Sequence, residues 1–373
     1  MVDDSPIRIL VVSGPLVRGG AETVTMNYYR HFDRDKVQFD FLVPDNGECG
    51  AYESEIKELG GIIYKTPPMH DFFHYIFGLR KFFREHKNYK IIHSNIDELS
   101  YLPLRVAKQM GIPVRIAHAH TSRTTGKYSL LLNYFRRKLP KYATHYFACS
   151  EVAGRWLFGD KAEDDGKVAI IKNSIDLNDY AFSESRRRTE RKRLGIRQSE
   201  FVVGTVGRLT KVKNQGFLLK IFAEIVKMCP DSLLLIVGDG ELREDLQEKS
   251  VQLGIQSKVR FTGSVPDDWD YMQAMDAFVF PSLFEGLGMA LIEAEVAGLP
   301  CFTSDQVPLE ADITQEVSFI PINSSPMYWA EQIMMFPKHN RVDHVSDAKA
   351  AGMDIVTEAA KLQNFYLTEW EKI

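Results

Sequence analysis

The amino-acid sequence predicts an α/β protein made of two doubly wound, Rossmann-like domains. Three observations support this prediction: a length of 373 residues, which suits two domains; two successive series of short β-rich runs; and a helical pattern after each run. Parallel sheets covered by helices on both faces have this rhythm. Two such domains are expected to face a common cleft with the carboxyl ends of their strands, where ligands bind.

The strands fall into two series along the chain. The first series contains the runs IRILVVS, FDFLV, GIIYK, KIIHS, VRIAHA, HYFACS and VAIIKN. The second contains FVVGTVG, LLLIVG, KVRFTG, AFVFPS, PCFTS and SFIP. A polar, charged stretch separates them, and we therefore place the domains at residues 1–175 and 176–355. Residues 356–373 are predicted to form a last helix that can cross back to the first domain.

Composition argues against several classes of protein. The net charge of −4 gives no indication of nucleic-acid binding. The four cysteines include no C-x-x-C pair, which argues against a disulfide framework and a zinc site. The N-terminus lacks the basic start of a signal peptide, and no run approaches the roughly 18 apolar residues of a membrane span. We expect a cytoplasmic protein without a metal or other cofactor.

The stretch FEGLGMALIEAEVAGLP contains three glutamates in an apolar context. Residues 288–297 favour a helix, which Gly298 and Pro300 would end. Glu293 then lies on the apolar stripe, where a carboxylate needs a partner. Glu295 lies on the opposite side and is expected to face solvent.

Glu285 precedes this helix, beside the turn formed by Gly286, Leu287 and Gly288. The N–H groups of such a turn can bind an anion at the start of a helix. Two acidic acceptors flanking an anion site suit a sugar nucleotide. The alternative is a structural hydrogen-bond network around Glu293 and a solvated charge at Glu285.

Both predicted domains begin with a strand, a glycine-containing loop and a helix. In the first domain, Gly20 would let a ligand approach the backbone, although a simple turn explains it equally well. In the second, Arg208 and Lys213 follow the strand FVVGTVG. Both cations can converge on one anion there, whereas a solvated basic loop is the alternative.

His118 and His120 alternate on one face of the strand VRIAHA. They could bind zinc, but a third ligand is not evident. We expect one histidine to reach the ligand cleft and the other to lie in the core. The position of His120 at the far end of the strand favours it for the cleft, and His118 is the alternative.

Three other motifs receive structural interpretations. VGDGEL lacks the third glycine of a dinucleotide-binding motif, because Arg243 stands there. The acidic pair Asp268 and Asp270 is interpreted as a helix start rather than a metal site. The run RRRTERKR is expected to be a solvated helix face.

Two segments mix aromatic and basic residues, DFFHYIFGLRKFFREHKNYK and KYSLLLNYFRRKLPKY. Helices that lie on membrane surfaces have this composition. In the first segment Phe72, Ile76, Leu79 and Phe83 also form an ordinary core stripe. Peripheral contact with the inner face of a membrane is therefore a hypothesis beside core packing.

The motifs RGGAE, IKNSID, GRLTKVKN and PSLFEGLGMALIEA resemble those of family 4 glycosyltransferases of GT-B fold, which include many retaining bacterial polysaccharide and lipopolysaccharide transferases. The most specific element is the E-x7-E pair Glu285 and Glu293, combined with the G-R-L-x3-K-N loop. The resemblance implies that Arg208 and Lys213 hold a diphosphate. Glu285 would contact hydroxyls of the donor sugar and Glu293 the ribose.

The resemblance extends to further residues. It implies that Gly20 approaches the phosphates or the sugar, and that His120 lies near the reacting carbon. Contacts with the base would come from the segment between Thr262 and Val265. Ser174 stands where the family often has glycine, so the geometry of the domain junction can differ.

The activity implied by the resemblance is retaining, metal-independent transfer of a hexose or N-acetylhexosamine from a nucleotide-diphosphate sugar, with UDP favoured as the nucleotide. The acceptor would be a hydroxyl of a saccharide or lipid-linked saccharide in exopolysaccharide, capsule or lipopolysaccharide assembly. Nucleic acid is not an expected partner. A nucleotide-sugar epimerase of the same fold and a non-catalytic two-domain sugar-binding protein are the alternatives.

Overall fold

The structure is a computed structural model that describes residues 5–17, 19–47, 49–121, 129–265, 267–336 and 341–373. Contacts between residues divide the chain into two compact units. Unit 1 comprises Met1–Ile175 and Gly352–Ile373, and unit 2 comprises Asp176–Ala351. The C-terminal segment therefore belongs to the same unit as the N-terminus.

The strands of the described residues occur at the positions of the β-rich runs in the sequence. They are β1 (Ile7–Val12), β2 (Val37–Pro44), β3 (Ile63–Thr66), β4 (Ile91–Ser94), β5 (Val114–Ala119), β6 (His145–Ala148), β7 (Val168–Ile170), β8 (Phe201–Val206), β9 (Ser232–Val237), β10 (Val259–Phe261), β11 (Ala277–Phe280), β12 (Cys301–Ser304) and β13 (Ser318–Ile320).

Helices connect these strands. They are α1 (Gly20–Arg30), α2 (Glu53–Glu58), α3 (Phe72–Glu85), α4 (Tyr101–Gln109), α5 (Ser129–Lys138), α6 (Glu151–Phe158), α7 (Asp160–Asp164), α8 (Leu177–Tyr180), α9 (Glu184–Arg193), α10 (Gln215–Met228), α11 (Arg243–Gln252), α12 (Asp268–Ala274), α13 (Met289–Val296), α14 (Pro326–Met335), α15 (Val345–Ala350) and α16 (Ile355–Glu371). Short 3₁₀ turns occur at Asp97–Ser100, Leu139–Lys141, Lys211–Lys213, Gln256–Lys258 and Leu309–Ala311.

Each unit contains one parallel sheet. The seven strands described in unit 1 have the order β3-β2-β1-β4-β5-β6-β7, and the six described in unit 2 have the order β10-β9-β8-β11-β12-β13. The order reverses between β1 and β4 in unit 1 and between β8 and β11 in unit 2. Ligands bind at such switch points in doubly wound sheets, beyond the carboxyl ends of the strands. The prediction of two doubly wound α/β domains is confirmed.

Alternation along β1 explains how unit 1 buries both faces of its sheet. Ile9 and Val11 pack in one apolar cluster, whereas Leu10 and Val12 pack in the cluster on the other face. Helix α16 supplies Tyr366 to the first of these clusters, where its ring centroid lies 5.8 Å from that of Phe39. The C-terminal helix is therefore part of the core of unit 1.

The prediction that Glu295 faces solvent is wrong. Glu295 is 2% exposed, because α13 is enclosed by β11, β12, α8, α15 and the turn at residues 309–311. Its Oε2 atom accepts hydrogen bonds from the backbone N–H groups of Ile313 and Thr314 and from the Thr314 hydroxyl, at 3.1, 3.1 and 2.7 Å. Burial raises the pKa of Glu295 to about 8.

The prediction that the basic run RRRTERKR forms a solvated helix face is also only partly correct. Arg188 is exposed on α9, but the side chain of Arg191 is fully buried and lies 3.3 Å from a carboxylate oxygen of Asp276. Arg187 contacts the same carboxylate at 2.5 Å. Because α9 packs against α12, one side of this highly charged helix carries ion pairs instead of an apolar stripe.

Position 174 does not require glycine. Ser174 is buried, and its hydroxyl lies 3.4 Å from the backbone oxygens of both Lys172 and Gly352. Within the described ranges, positive φ angles at non-glycine residues occur at Asp97, Asn214 and Gln315. The serine therefore fits an ordinary backbone conformation.

No helix in the part of the chain that the structure describes has the combination of length and apolar composition needed to cross a bilayer.

Candidate functional site

In unit 2 the loops after β8 and β9 pack backbone against backbone. Gly207 has a φ of +148°, and a Cβ atom there would lie 3.5 Å from Cε of Lys213. A Cβ atom at Gly238 would lie 2.1 Å from the Gly207 carbonyl oxygen, and one at Gly240 would lie 2.4 Å from that of Leu209. Close packing of the loop that carries Arg208 thus explains the glycines of VGDGEL.

Lys213 joins the loop after β8 to the loop after β11. Its Nζ atom donates to both carboxylate oxygens of Glu285, at 2.8 and 2.9 Å, and lies 4.6 Å from the ring centroid of Phe280. The next residue, Asn214, adopts the left-handed conformation and donates from Nδ2 to the Pro281 carbonyl oxygen at 3.1 Å. These contacts fix the position of the ammonium group at the carboxyl end of β8.

Arg208 has a different environment. Its side chain is 76% exposed, and Nη2 lies 3.9 Å from Oε2 of Glu241. Its backbone oxygen accepts a hydrogen bond from Nε2 of Gln215 at 3.0 Å. Arg208 and Lys213 therefore have different anionic partners in the structure, rather than converging on one.

Glu293, partly exposed on α13, belongs to a polar cluster with Tyr180 and Asp268. The Tyr180 hydroxyl donates to Oδ1 of Asp268 at 3.1 Å, and both side chains affect the ionisation of the neighbouring Glu293 carboxyl. Burial, together with the negative charge of Asp268, raises the pKa of Glu293 well above its ordinary value, although Lys213 opposes this shift. Burial likewise raises the pKa of Asp268.

Sequence reasoning missed Tyr180 and Asp268 as neighbours of Glu293. Asp268 was interpreted only as an acid at the start of α12, and it does occupy that position. Tyr180 lies in the polar segment interpreted as a domain connection. Neither residue has a spacing that signals its proximity to α13, because that proximity depends on how α8 and α12 pack.

The other predicted donor-binding residues of unit 2 follow β10 or precede α13. Thr262 and Val265 follow β10, and both are partly exposed. Gly286 is exposed, and a Cβ atom there would meet nothing within 4 Å. Leu287 is partly exposed, whereas Gly288 is buried, precedes α13 and has a φ of +87°. Only Gly288 needs the conformational freedom of glycine here.

In unit 1 the loop between β1 and α1 encloses a carboxylate. Cβ atoms at Gly14 and Gly19 would lie 2.8 and 2.6 Å from the carboxylate oxygens of Glu22, whereas a Cβ atom at Gly20 would meet nothing within 4 Å. Burial raises the pKa of Glu22. Sequence reasoning missed Glu22, which belongs to the RGGAE motif, and Arg18 of this motif lies outside the described residues.

His120 follows β5 and is held at two points. Its backbone N–H donates to Oδ1 of Asp97 at 2.7 Å, and its Nε2 atom lies 3.2 Å from Oδ1 of Asn95. Asn95 in turn donates from Nδ2 to the Thr25 hydroxyl at 3.0 Å. His120 is partly exposed, whereas His118 is 3% exposed. Burial lowers the pKa of His120 to about 4, so its ring is neutral at physiological pH.

Asp97 was not identified from the sequence. It has a φ of +46°, and it also accepts a hydrogen bond from the backbone N–H of Thr121 at 3.2 Å. Burial raises the pKa of this carboxyl group to about 7. In the described part of the chain, no group of three or more His, Cys, Asp or Glu side chains is arranged to hold a metal ion.

Comparison with known proteins identifies the family. Sequence models match residues 18–179 as "Glycosyltransferase Family 4" and residues 186–344 as "Glycosyl transferases group 1". A Bacillus subtilis protein named "Putative glycosyltransferase EpsF" is 34% identical over 381 aligned positions, which cover 100% of this chain and 99% of that protein. The chain belongs to the family 4 glycosyltransferases.

Two further comparisons agree with this assignment. The Staphylococcus aureus "Capsular polysaccharide biosynthesis glycosyltransferase CapH" is 25% identical, with 97% of this chain and 99% of CapH covered. A crystal structure of Anabaena Alr3699/HepE, solved in complex with UDP and glucose, is 19% identical with a TM-score of 0.78 and covers 96% of this chain and 99% of the other. At this identity the structural comparison establishes the GT-B fold. The protein is thus a GT-B glycosyltransferase.

Proposed function

We propose that this glycosyltransferase transfers a hexose or N-acetylhexosamine from a UDP-sugar to an acceptor hydroxyl, with retention of the anomeric configuration and without a metal ion. UDP is supported by its presence in the Anabaena HepE complex. A saccharide acceptor in polysaccharide assembly is supported by the names of the relatives, above all CapH. The single observation that carries the proposal is the Lys213–Glu285 pair at the carboxyl end of β8.

Lys213 can bind the diphosphate while it remains bound to Glu285. An ammonium group has three N–H donors, and the two hydrogen bonds to Glu285 use two of them. The third can donate to a phosphate oxygen. In this arrangement Lys213 stabilises the charge that develops on the departing diphosphate, and exposed Arg208 adds a second cation. Two cations replace the divalent ion that would otherwise balance this charge.

Glu285 and Glu293 recognise hydroxyl groups on either side of the diphosphate. A carboxylate fixed by Lys213 presents its remaining lone pairs to the donor sugar. Glu293, with the neighbouring carboxyl of Asp268 and the hydroxyl of Tyr180, offers acceptors for the two ribose hydroxyls. Thr262 and Val265, at the edge of this sheet, are proposed to contact the base.

The proposed reaction breaks the bond between the anomeric carbon and the diphosphate oxygen. The acceptor oxygen forms a bond to the same face of that carbon, and its proton passes to the leaving phosphate. His120 supplies a neutral imidazole near the reacting carbon, which avoids repulsion with the positive charge that develops there. At Gly20 a Cβ atom would meet nothing within 4 Å, so the backbone there leaves room for the phosphates or the sugar.

The experiment that tests this function combines binding with product analysis. UDP, GDP, ADP and NAD are compared for their effect on thermal unfolding, since a ligand at about 100 times its Kd should stabilise the folded state by about 2.7 kcal/mol. We expect UDP to stabilise the protein in EDTA, and Lys213→Ala to weaken this effect. Stabilisation by GDP or ADP alone would overturn the choice of base, and a strict requirement for a metal would overturn the two-cation mechanism.

Products from a UDP-sugar then distinguish the two alternatives. Transfer requires an acceptor, whereas an epimerase would convert the donor without one, and a binding protein would leave it unchanged. Family membership favours transfer. The anomeric configuration of the product, measured by NMR coupling constants, tests retention, and an inverted product would contradict it.

We also propose that unit 1 contacts an anionic membrane surface through α3 and α5. The predicted core stripe of α3 is only partly buried, because Leu79 and Phe83 are buried whereas Phe72 is 41% exposed. Phe73 and Phe77 are 84% and 63% exposed. In α5 Leu130 is 88% exposed, and the helix ends in basic residues. Exposed aromatic and aliphatic side chains beside Arg and Lys match the requirements for interfacial binding. Such contact would bring the enzyme to a lipid-linked acceptor.

Liposome co-sedimentation tests this surface. Vesicles that contain phosphatidylserine should bind the protein at low salt. Phe73→Ser combined with Phe77→Ser should reduce binding. Val251→Ser, which alters an exposed apolar residue of unit 2, is the matched control. Equal binding of the two variants would contradict the proposed surface.

A further inference from the structure

A buried chain of polar rings connects the C-terminal helix to His120. The Tyr366 hydroxyl lies 2.6 Å from Nδ1 of His93, and Nε2 of His93 lies 3.0 Å from Nδ1 of His118. The ring centroids of His118 and His120 are 4.0 Å apart. Tyr366, His93 and His118 are 0%, 3% and 3% exposed, respectively. All four residues belong to unit 1.

Counting protons determines the direction of this chain. If the chain ran the other way, both the Tyr366 O–H hydrogen and the lone pair on Nε2 of His118 would lack a partner among the described residues, whereas donation from Tyr366 leaves only the Nε2–H of His118 without one. Tyr366 therefore donates to Nδ1 of His93. A neutral His93 then carries its proton on Nε2 and donates to Nδ1 of His118. His118 must consequently carry its own proton on Nε2.

Burial keeps the whole chain uncharged. It lowers the pKa of His93 to about 3 and that of His118 well below its ordinary value. The ring of Phe147 packs edge-on against both histidines, with centroids 5.5 and 5.9 Å away. Nε2 of His118 has no hydrogen-bond partner in the described part of the chain. The bond from His93 is therefore the polar contact that orients the ring against which His120 lies.

We propose that Tyr366, His93 and His118 are positioning residues that hold His120 in its working orientation, so that the C-terminal helix α16 contributes to the site. This inference rests on the proposed role of His120. A neutral imidazole in one tautomer presents a fixed dipole and a fixed face to its neighbour. Loss of the Tyr366 hydroxyl would leave His93 and His118 free to exchange tautomers, and His120 would no longer pack against a ring with a fixed dipole.

Tyr366→Phe tests the chain with a minimal change. Tyr29→Phe is the matched control, because Tyr29 is also fully buried in unit 1 and donates to a side-chain acceptor, Oε1 of Gln38, at 2.6 Å. In the full-length protein, ¹⁵N NMR of the histidine rings reports their tautomers, and initial rates report kcat and KM. We expect Tyr366→Phe to mix the tautomers of His118 and to lower kcat about fivefold, the effect of losing one hydrogen bond, with KM for the donor unchanged. Tyr29→Phe should alter neither.

The outcomes separate this inference from the proposed function. A proton found on Nδ1 of His118 in the unmodified protein would overturn the chain directly, even if Tyr366→Phe did not fold. Equal rates and tautomers in the two tyrosine variants, alongside an inactive His120→Ala, would overturn the positioning role and leave the function of His120 intact. A fully active His120→Ala would overturn the role of His120 and this inference with it.

Discussion

Lys213 donates hydrogen bonds to both carboxylate oxygens of Glu285, although 72 residues separate the two in sequence. The side chains are 23% and 10% exposed, so water screens the pair only partly. Each partner therefore fixes the orientation of the other. The pair connects the loop after β8 to the loop after β11, on either side of the point where the strand order reverses.

This pair predicts a large effect on sugar transfer. Lys213→Ala and Glu285→Ala should each lower kcat at least about a hundredfold, because each removes a preorganised charge and releases its partner from a fixed position. Initial rates with a UDP-sugar and an acceptor measure the effect. Lys211→Ala removes an exposed cation from the same loop and should change the rate less than about threefold. Near-normal turnover in either Lys213→Ala or Glu285→Ala would contradict the assignment.

Glu293→Gln should increase stability and weaken UDP binding. The folded-state pKa of Glu293 is raised, so the stability that its protonated form contributes is complete below the ordinary carboxyl pKa and is lost as the pH rises through the folded-state value. Asp268, Tyr180 and Lys213 face this carboxyl. The variant should therefore match the unmodified protein near pH 4 and exceed its unfolding temperature at pH 7.5.

The same variant should bind UDP about tenfold more weakly, because an amide offers a ribose hydroxyl one acceptor oxygen in place of the two oxygens of the carboxyl group. Glu295→Gln is the matched control. Its carboxyl also has a raised pKa, about 8, but its contacts are with Ile313 and Thr314. It should change UDP affinity less than about twofold. Calorimetric titration separates the two, and equal weakening would contradict a specific ribose contact at Glu293.

Local sequence patterns were sufficient for the strands and for the glycine turn that precedes α13. They failed where burial depends on distant elements. Glu295 was assigned to solvent because a helix was assumed to have one buried face, yet α13 is enclosed on several sides. Arg191 is buried in an ion pair with Asp276, a residue that follows α12. The neighbours of Glu293 and the partner of His118 likewise come from distant segments, and their spacing in sequence does not indicate those contacts.

Gly238→Ala should destabilise unit 2 much more than an ordinary glycine replacement. A Cβ atom at Gly238 would lie 2.1 Å from the Gly207 carbonyl oxygen, so the backbone must move. Gly254→Ala is the control, because Gly254 also has a positive φ, +70°, but a Cβ atom there would meet nothing within 4 Å.

Left-handed strain alone costs about 1–2 kcal/mol, and we expect this loss for Gly254→Ala and at least about twice as much for Gly238→Ala. Urea unfolding measures both values. Because the loop after β8 carries Arg208, Gly238→Ala should also weaken UDP binding, whereas Gly254→Ala should not. Similar stabilities for the two variants would contradict the claim that close packing of the loops after β8 and β9 requires glycine at position 238.

Arg191→Ala should destabilise unit 2, although the charged run that contains Arg191 was predicted from the sequence to be solvated. Its side chain is fully buried, pairs with Asp276 at 3.3 Å and also donates to the Glu200 carbonyl oxygen. Removal of a buried partner leaves the remaining polar groups unsatisfied, which typically costs 3–5 kcal/mol. Because Asp276 retains Arg187, we expect about 2–3 kcal/mol.

Arg188→Ala separates burial from charge in the same helix. Arg188 is 71% exposed and pairs with Glu184 one turn earlier, an interaction worth about 0.3–0.5 kcal/mol. Both variants remove one positive charge from α9, so a difference in unfolding free energy reflects burial alone. Since the Asp276 pair is partly shielded from water, 0.5 M salt should reduce the effect of Arg188→Ala more than that of Arg191→Ala. Equal losses would mean that the charge of the helix, rather than its buried ion pair, stabilises the packing of α9 against α12.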